Sequence, residues 1–456
     1  MRLLPTLYTR GVYPAVNPHL RGLGGRLAGL RRWERASLEQ NRERQWRSLQ
    51  QMLQHAFATT AFYRRRFEEA GLRPADIQAE EDLRRLPPLT RADIREQESA
   101  LRSNRFAADR LLPAATGGTT DTPVRIWRDW DAVGLKLALQ TILNEWAGAR
   151  PGDRTLYLWG ARADYPTAPS WRWRLYDRYL MRREWAPISL INPDIMEGWR
   201  RQLNRLRPAV IYAYPTPLAV FCQFLRDCSK PYWQPRTVIC TAEALLPEHR
   251  QLMEAVLGCP VFEHYGSREF GMVGAECEAH QGLHLHPAAV YVEAEPMPGA
   301  GEGLRELLIT DLFNRGMPLI RYRVNDCVAA DMVLAPCSCG RGFVRAPGIL
   351  GRSGDIFYLP DGAAVPGVAL TNRVIQVMPG LSKIQIIQEE RARFRLRYVP
   401  GRSFQPSDME ALRRKLGEFL PGNLIWELEA VSDIEREASG KTRLCISRVS
   451  APGRSL

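Results

Sequence analysis

Apolar residues recur with helical spacing over residues 33–70. The stretch LPPLTRADIREQ that follows predicts a turn and then a helix, with Thr90 as N-cap and Asp93 three positions later. Beyond residue 106 the pattern changes. Short apolar runs at 154–160, 209–215 and 235–243 predict buried strands, and longer stretches at 130–149 and 217–228 predict helices between them. Strands alternating with helices in this way argue for parallel β-α-β units. Between 285 and 335 strands dominate, in AVYVEAE, RELLITDL and PLIRYRV. A break rich in Gly, Pro and Asp spans 351–367; after it, 382–400 alternates like a hairpin and 406–420 reads as a helix. The expected fold class is α/β, with a mainly helical region over 1–105, a core over 106–350 and a small α+β domain over 351–456.

Composition narrows the function. At 456 residues, 45% hydrophobic and 25% charged, the chain can bury a sizeable core. No run of eighteen apolar residues occurs, so no membrane span is expected, and the N-terminus lacks the apolar core of a signal peptide. A cytoplasmic protein is the expectation. The net charge of +13 raises a nucleic-acid partner. Against it, only five of the 63 basic residues are lysine, and many arginines sit beside acids on solvated helix faces. No nucleic-acid partner is expected.

Two stretches carry candidate chemistry in their own right. The first is AATGGTTDTP, with Thr116, Gly117, Gly118, Thr119 and Thr120. Glycines let a backbone approach phosphate closely, and hydroxyls and N–H groups can then donate to its oxygens. The lysine of a Walker loop is absent. The second is CEAHQGLHLHP followed by PCSCGR, which together hold Cys277, His280, His284, Cys337 and Cys339. Four such ligands from two segments can close a tetrahedral zinc site with no open position for water. Two buried thiols beside a histidine-rich loop would leave the same trace.

Further motifs follow in order: TAE at 241–243, YGSREFG from Tyr265, RYRVND ending at Asp326, GRSGDIF from Gly351, and ASGKTRL around Lys441. With TGGTT, they make the chain resemble the acyl-adenylate-forming enzymes, in the phenylacetate–CoA ligase and coenzyme F390 synthetase-like (CapK-like) branch. The resemblance runs from LPPLTRADIRE to Lys441. It implies a large multi-subdomain adenylate-forming N-terminal domain and a small, mobile C-terminal domain. It implies that Thr116–Thr120 hold ATP phosphates, that Ala242, Glu243, Tyr265 and Gly266 line the nucleotide pocket, and that Glu269 carries Mg²⁺. Asp326 would accept the ribose hydroxyls, Arg352 and Asp355 would mark the hinge, and Lys441 would be the catalytic lysine. Many relatives on this branch also resemble the chain in a zinc knot; the set chosen is Cys277, His284, Cys337 and Cys339, with His280 as alternative.

The implied reaction is ATP-dependent activation of a small carboxylic acid as acyl-AMP, then transfer to coenzyme A. An amine or hydroxyl acceptor is the alternative, in polysaccharide or secondary-metabolite biosynthesis. Asp121 and Asn325 stand where the family usually has glycine, and they favour a second alternative, a non-catalytic zinc-stabilised member of the fold. The choice of acid and the question of a homodimer stay open.

Overall fold

The computed structural model describes residues 3–115, 124–160, 170–188, 191–297, 304–328, 332–352, 356–361, 364–367, 370, 381–401, 404–405, 407–419, 424–435 and 443–449. Helices occupy the first hundred of these. The 33–70 periodicity resolves into the end of one helix, Leu23–Glu34, and two more, Leu38–Thr59 and Ala61–Glu69. Ser37 and Gln40 form a capping box at the first break, and the Thr60 side chain accepts from the Tyr63 amide at the second. Thr90 and Asp93 cap the helix Arg91–Glu96 as expected.

Strands β1 (Leu111–Ala115) and β2 (Arg125–Asp129) pair antiparallel and lead into the helix Trp130–Trp146. Strands β3 (Thr155–Trp159), β4 (Arg183–Pro187), β5 (Val210–Ala213), β6 (Thr237–Thr241) and β7 (Val261–Ser267) run parallel. Strands β8 (Gly271–Ala275) and β9 (Leu283–Leu285) then extend the sheet antiparallel. With the two-residue β13 (Arg345–Ala346), the order is β13-β9-β8-β7-β6-β5-β3-β4, which leaves β4 at one edge.

Strands β5 and β6 are buried at every position, as apolar runs sandwiched between helices should be. On one face Leu156, Leu158, Ile211, Val238 and Cys240 pack with the helices Pro193–Leu206, Pro215–Asp227 and Pro247–Leu257. Proline opens each of these helices, where its missing N–H costs nothing. The opposite face is aromatic. Tyr157 stacks on Trp185 at 4.6 Å and on Tyr212 at 5.3 Å, while His264 meets Tyr212 edge-on.

A second sheet holds β10 (Val290–Pro296), β11 (Arg305–Asp311), β12 (Tyr322–Val328) and β14 (Ile349–Arg352), all antiparallel neighbours. The strand expected at 318–324 begins only at Tyr322. Arg321 has φ +49 and donates its amide to Thr310 Oγ1, which takes it out of the ladder. Its guanidinium, 1% exposed, bonds Glu293 at 3.0 Å and the carbonyl of Arg84 at 3.1 Å, and also reaches Glu295 and the carbonyl of Leu86. That buried cation pins the turn before Thr90 onto the second sheet.

Farther on, β15 (Ile356–Tyr358) pairs β16 (Ala364–Pro366). The expected hairpin is β17 (Leu381–Glu390) and β18 (Arg393–Pro400), and the expected helix is Ser407–Phe419. Strands β19 (Ile425–Ala430) and β20 (Cys445–Ser447) complete a sheet ordered β19-β18-β17-β20. It has its own apolar cluster around Ile386, Phe394, Leu412 and Leu416.

Candidate nucleotide site and cysteine-histidine knot

Tyr265 ends the buried part of β7, and its hydroxyl donates to Asp326 Oδ2 on β12 at 2.7 Å. Two motifs 61 residues apart are thereby joined across the two sheets. Asp326 is also directly opposite Arg352 in the β12–β14 ladder. Asn325 adopts φ +60, a left-handed conformation that asparagine tolerates and that a β-branched residue would resist. Gly266 is required by space: a Cβ there would lie 2.5 Å from the carbonyl oxygen of Gly271.

Glu269 follows in the turn between β7 and β8, with its side chain 12% exposed and Oε1 4.0 Å from Arg91 Nη1. The Tyr322 hydroxyl bonds Arg91, and its pKa rises through burial and then the charge of Glu269. Below the turn, Lys136 Nζ donates to the Glu269 carbonyl at 3.2 Å and to Asp311 Oδ2 at 2.6 Å. Asp311 Oδ1 in turn accepts from the amides of Phe313 and Asn314. Lys136 is buried, and desolvation lowers its pKa against the pull of Asp311. This ion pair ties the helix Trp130–Trp146 and the end of β11 to the backbone that carries Glu269.

Arg91, Tyr322, Lys136 and Asp311 are site neighbours that the sequence motifs do not single out. Lys136 had one signal, the scarcity of lysine. Arg91 had another, its place one residue after the Thr90 cap.

Ala242 and Glu243 lie in the turn after β6, where Ala242 has φ +74. Glu243 Oε2 accepts from the Thr216 amide at 3.2 Å, at the start of the helix Pro215–Asp227. Of the remaining expected residues, Thr116, Gly117, Gly118, Thr119, Thr120, Asp121, Asp355 and Lys441 lie outside the described residues. For Arg352 only the backbone register is described.

The cysteine-histidine residues converge. Ligand atoms of Cys277, His284, Cys337 and Cys339 all lie within 4.8 Å of one another. Cys277 Sγ is 3.7 Å from Cys337 Sγ, and Cys339 Sγ is 3.4 Å from His284 Nε2. Tetrahedral zinc with bonds near 2.3 Å to sulfur sets its ligands roughly 3.8 Å apart, so the donor set fits that ion. Desolvation, then the charges of Arg341 and Arg345, hold the His284 pKa down at about 4, which leaves a neutral ring with a lone pair to give.

The alternative ligand is spent elsewhere. His280 Nδ1 is 3.2 Å from Arg250 Nη1 and 3.3 Å from Glu276 Oε2, and its ring packs on Phe262. The Cys-x-Cys loop is fastened to the N-terminal helices: Asn41 donates to the Gly342 carbonyl at 2.8 Å, and a Cβ on Gly342 would lie 2.5 Å from the Leu38 amide.

Comparison with known proteins bears on the fold. The crystal structure of 2-hydroxyisobutyryl-CoA ligase in the postadenylation state matches with a TM-score of 0.72 at 20% identity, covering 91% of both chains. The fold is therefore that of the adenylate-forming ligases. Protein CapK of Staphylococcus aureus is 21% identical over 372 residues, 81% of each chain. Phenylacetate–coenzyme A ligase of Thermus thermophilus is 26% identical over 342 residues, 70% of this chain and 72% of its own. The CapK C-terminal domain model matches residues 357–448. Along most of its length the chain is thus similar to the phenylacetate–CoA ligases and protein CapK, and its last part matches the CapK C-terminal domain.

Proposed function

We infer that this chain is an AMP-forming acid–coenzyme A ligase. It activates a carboxylic acid with ATP as acyl-AMP and transfers the acyl group to the thiol of coenzyme A. The observation that carries the reading is the Tyr265–Asp326 hydrogen bond with Glu269 and Arg91 alongside. It gathers an aromatic ring for adenine, a two-oxygen carboxylate suited to two ribose hydroxyls, and a second carboxylate suited to Mg²⁺. The activity follows that of the phenylacetate–CoA ligases and 2-hydroxyisobutyryl-CoA ligase to which the chain is similar.

In the first half-reaction a carboxylate oxygen attacks the α-phosphorus and pyrophosphate leaves. Charge grows on the α-phosphoryl oxygens, and a cation from the C-terminal domain would stabilise it; Lys441 has that role in this reading. Thr116–Thr120 would hold the β- and γ-phosphates. In the second half-reaction the thiol displaces AMP. The region after Gly351 would swing about Arg352 and Asp355 between the two steps, as one pocket serving two reactions requires. The domain division at residues 105 and 350 and a cytoplasmic setting, where ATP and coenzyme A are supplied, belong to the same proposal. The four-residue knot would take up one structural Zn²⁺ and serve the fold.

The test is ATP–pyrophosphate exchange with Mg²⁺ over a panel of aryl, aliphatic and hydroxy acids, followed by thioester formation on adding coenzyme A. Acid-dependent exchange is expected. In Lys441→Ala, exchange should collapse while transfer from preformed acyl-AMP largely survives. Equal loss in both halves would remove Lys441 from its role. Folded protein that exchanges with no acid would return the chain to a non-catalytic reading.

A further inference from the structure

Ten large apolar side chains are exposed among the described residues, and four of them lie in one ten-residue helical stretch. The helix Trp171–Leu175 continues as a π-turn over Tyr176–Leu180 and leads into the edge strand β4. Trp171 is 67% exposed, Leu175 47%, Tyr179 63% and Leu180 40%. In a regular α-helix, residues four apart drift by roughly 40°. The wider i→i+5 turn takes up that drift for Tyr179, so Trp171, Leu175 and Tyr179 line up along the axis. The inward side is fixed. Asp177 is buried, accepting from Arg183 Nε and Trp185 Nε1, each at 2.6 Å.

The outward stripe is edged with positive charge. The exposed Arg172 lies over the Trp171 ring at 5.4 Å, and the exposed Arg178 over the Tyr179 ring at 5.7 Å. From 170 to 183 the chain has five arginines and one acid, the buried Asp177. A second apolar element adjoins the same edge. The N-terminal helix Leu3–Leu7 exposes Leu4 at 43% and Leu7 at 58%. Just after it Tyr8 packs where a Cβ on Gly152 would lie, Tyr13 Oη accepts from the Gly152 amide at 3.1 Å, and Tyr13 senses the charge of Arg183. The first 33 residues contain six arginines and no acid.

We propose that this edge of the molecule docks on an anionic lipid bilayer, with Trp171, Leu175, Tyr179 and Leu180 set into the interface and Arg172 and Arg178 at the phosphates. Tryptophan and tyrosine favour the boundary between headgroups and acyl chains, and arginine reaches outward from it. A basic amphipathic helix of this kind lies in the membrane plane without spanning it. Charge favours a bilayer over a protein partner here: from 170 to 184 five arginines meet two carboxylates, Asp177 neutralised inside the fold and Glu184 lying 3.8 Å from Arg178 but also held by Arg205 at 2.7 Å.

The experiment is flotation of the full-length chain with vesicles of phosphatidylcholine alone, or of phosphatidylcholine mixed with phosphatidylglycerol. Binding to the anionic vesicles only is expected, weakening as salt rises. Trp171→Ser with Leu175→Ser and Tyr179→Ser should lower vesicle affinity at least about tenfold. Arg172→Gln with Arg178→Gln should lower it roughly fivefold per arginine. Acid-dependent exchange and the melting temperature of these variants should match the parent, which separates lost docking from lost folding. No vesicle binding by the parent, or full binding by the triple serine variant, would overturn the proposal. So would a parent dimer that the triple variant turns into monomers without any vesicle binding, because the face would then join two copies of the chain.

Discussion

The Cys277 knot and the Tyr265 cluster hang from the same ribbon of β7, β8 and β9, yet they close their charges in opposite ways. In the knot, four donor atoms lie within 4.8 Å of one another, and the amides of Ala279 and Arg341 donate to the Cys277 and Cys339 sulfurs. In the cluster, Glu269 and Asp326 come together with Arg91, Tyr322 and Tyr265, and Lys136 and Arg128 lie close to Glu269 as well. Four protein ligands around one ion would leave no open position for chemistry, so the proposed role of the knot is to hold the fold together. A site that gathers two carboxylates, an aromatic ring and cations from separate elements would meet a nucleotide and its Mg²⁺, and its effects belong on turnover.

The sharpest break of this comparison uses Cys337→Ser with Cys339→Ser. Metal analysis should fall from near one zinc per chain to near none. Melting should drop by about 10 °C or more, because metal binding free energy is folding free energy. Exchange measured below the new midpoint should stay within a few-fold of the parent. Zinc-free parent protein, or a variant that melts like the parent, would end the structural reading of the knot.

The mirror-image variant is Glu269→Gln. Pyrophosphate exchange should fall about 100-fold or more, as when a group facing transition-state charge is removed, with the melting temperature nearly unchanged. A large stability loss with normal exchange would place Glu269 among structural residues. Smaller again is Tyr265→Phe, which removes one hydrogen bond worth about 1 kcal/mol. It should raise the KM for ATP several-fold and leave kcat close to the parent; a change in kcat alone would argue against contact with the nucleotide.

The smallest effect concerns pH. Burial, then the charge of Glu276, pushes the Glu263 carboxyl up to about 7. Its folded form keeps a proton that the unfolded chain releases. The associated stability is complete below the ordinary carboxylate range, near 4.3, and is lost as pH rises through about 7. Melting curves of Glu263→Gln should therefore be flatter than the parent's from pH 5 to 8. Parallel curves would show that Glu263 does not titrate there.

Much of this is legible in the pattern of residues. The runs at 154–160, 209–215 and 235–243 are β3, β5 and β6, and the Thr90 cap and the 382–400 hairpin are where the spacing puts them. Local chemistry settles such elements. Less legible are features set by partners far along the chain. Nothing near Lys136 announces Asp311, 175 residues away, and nothing near His280 announces Arg250, 30 residues away. The late start of β12 has the same cause, since Arg321 leaves the ladder to meet Glu293 and the carbonyl of Arg84.

That arginine also says where this chain can be divided. Its partners span 237 positions, from the carbonyl of Arg84 to Arg321 itself. A fragment beginning at residue 106 would keep the guanidinium with Glu293 and Glu295 but lose the two carbonyls, hydrogen bonds to a charged group worth about 1.5–3 kcal/mol each. The helical first hundred residues are thus one side of a joint, and gene fusions or split reporters built on this protein should place their seams elsewhere.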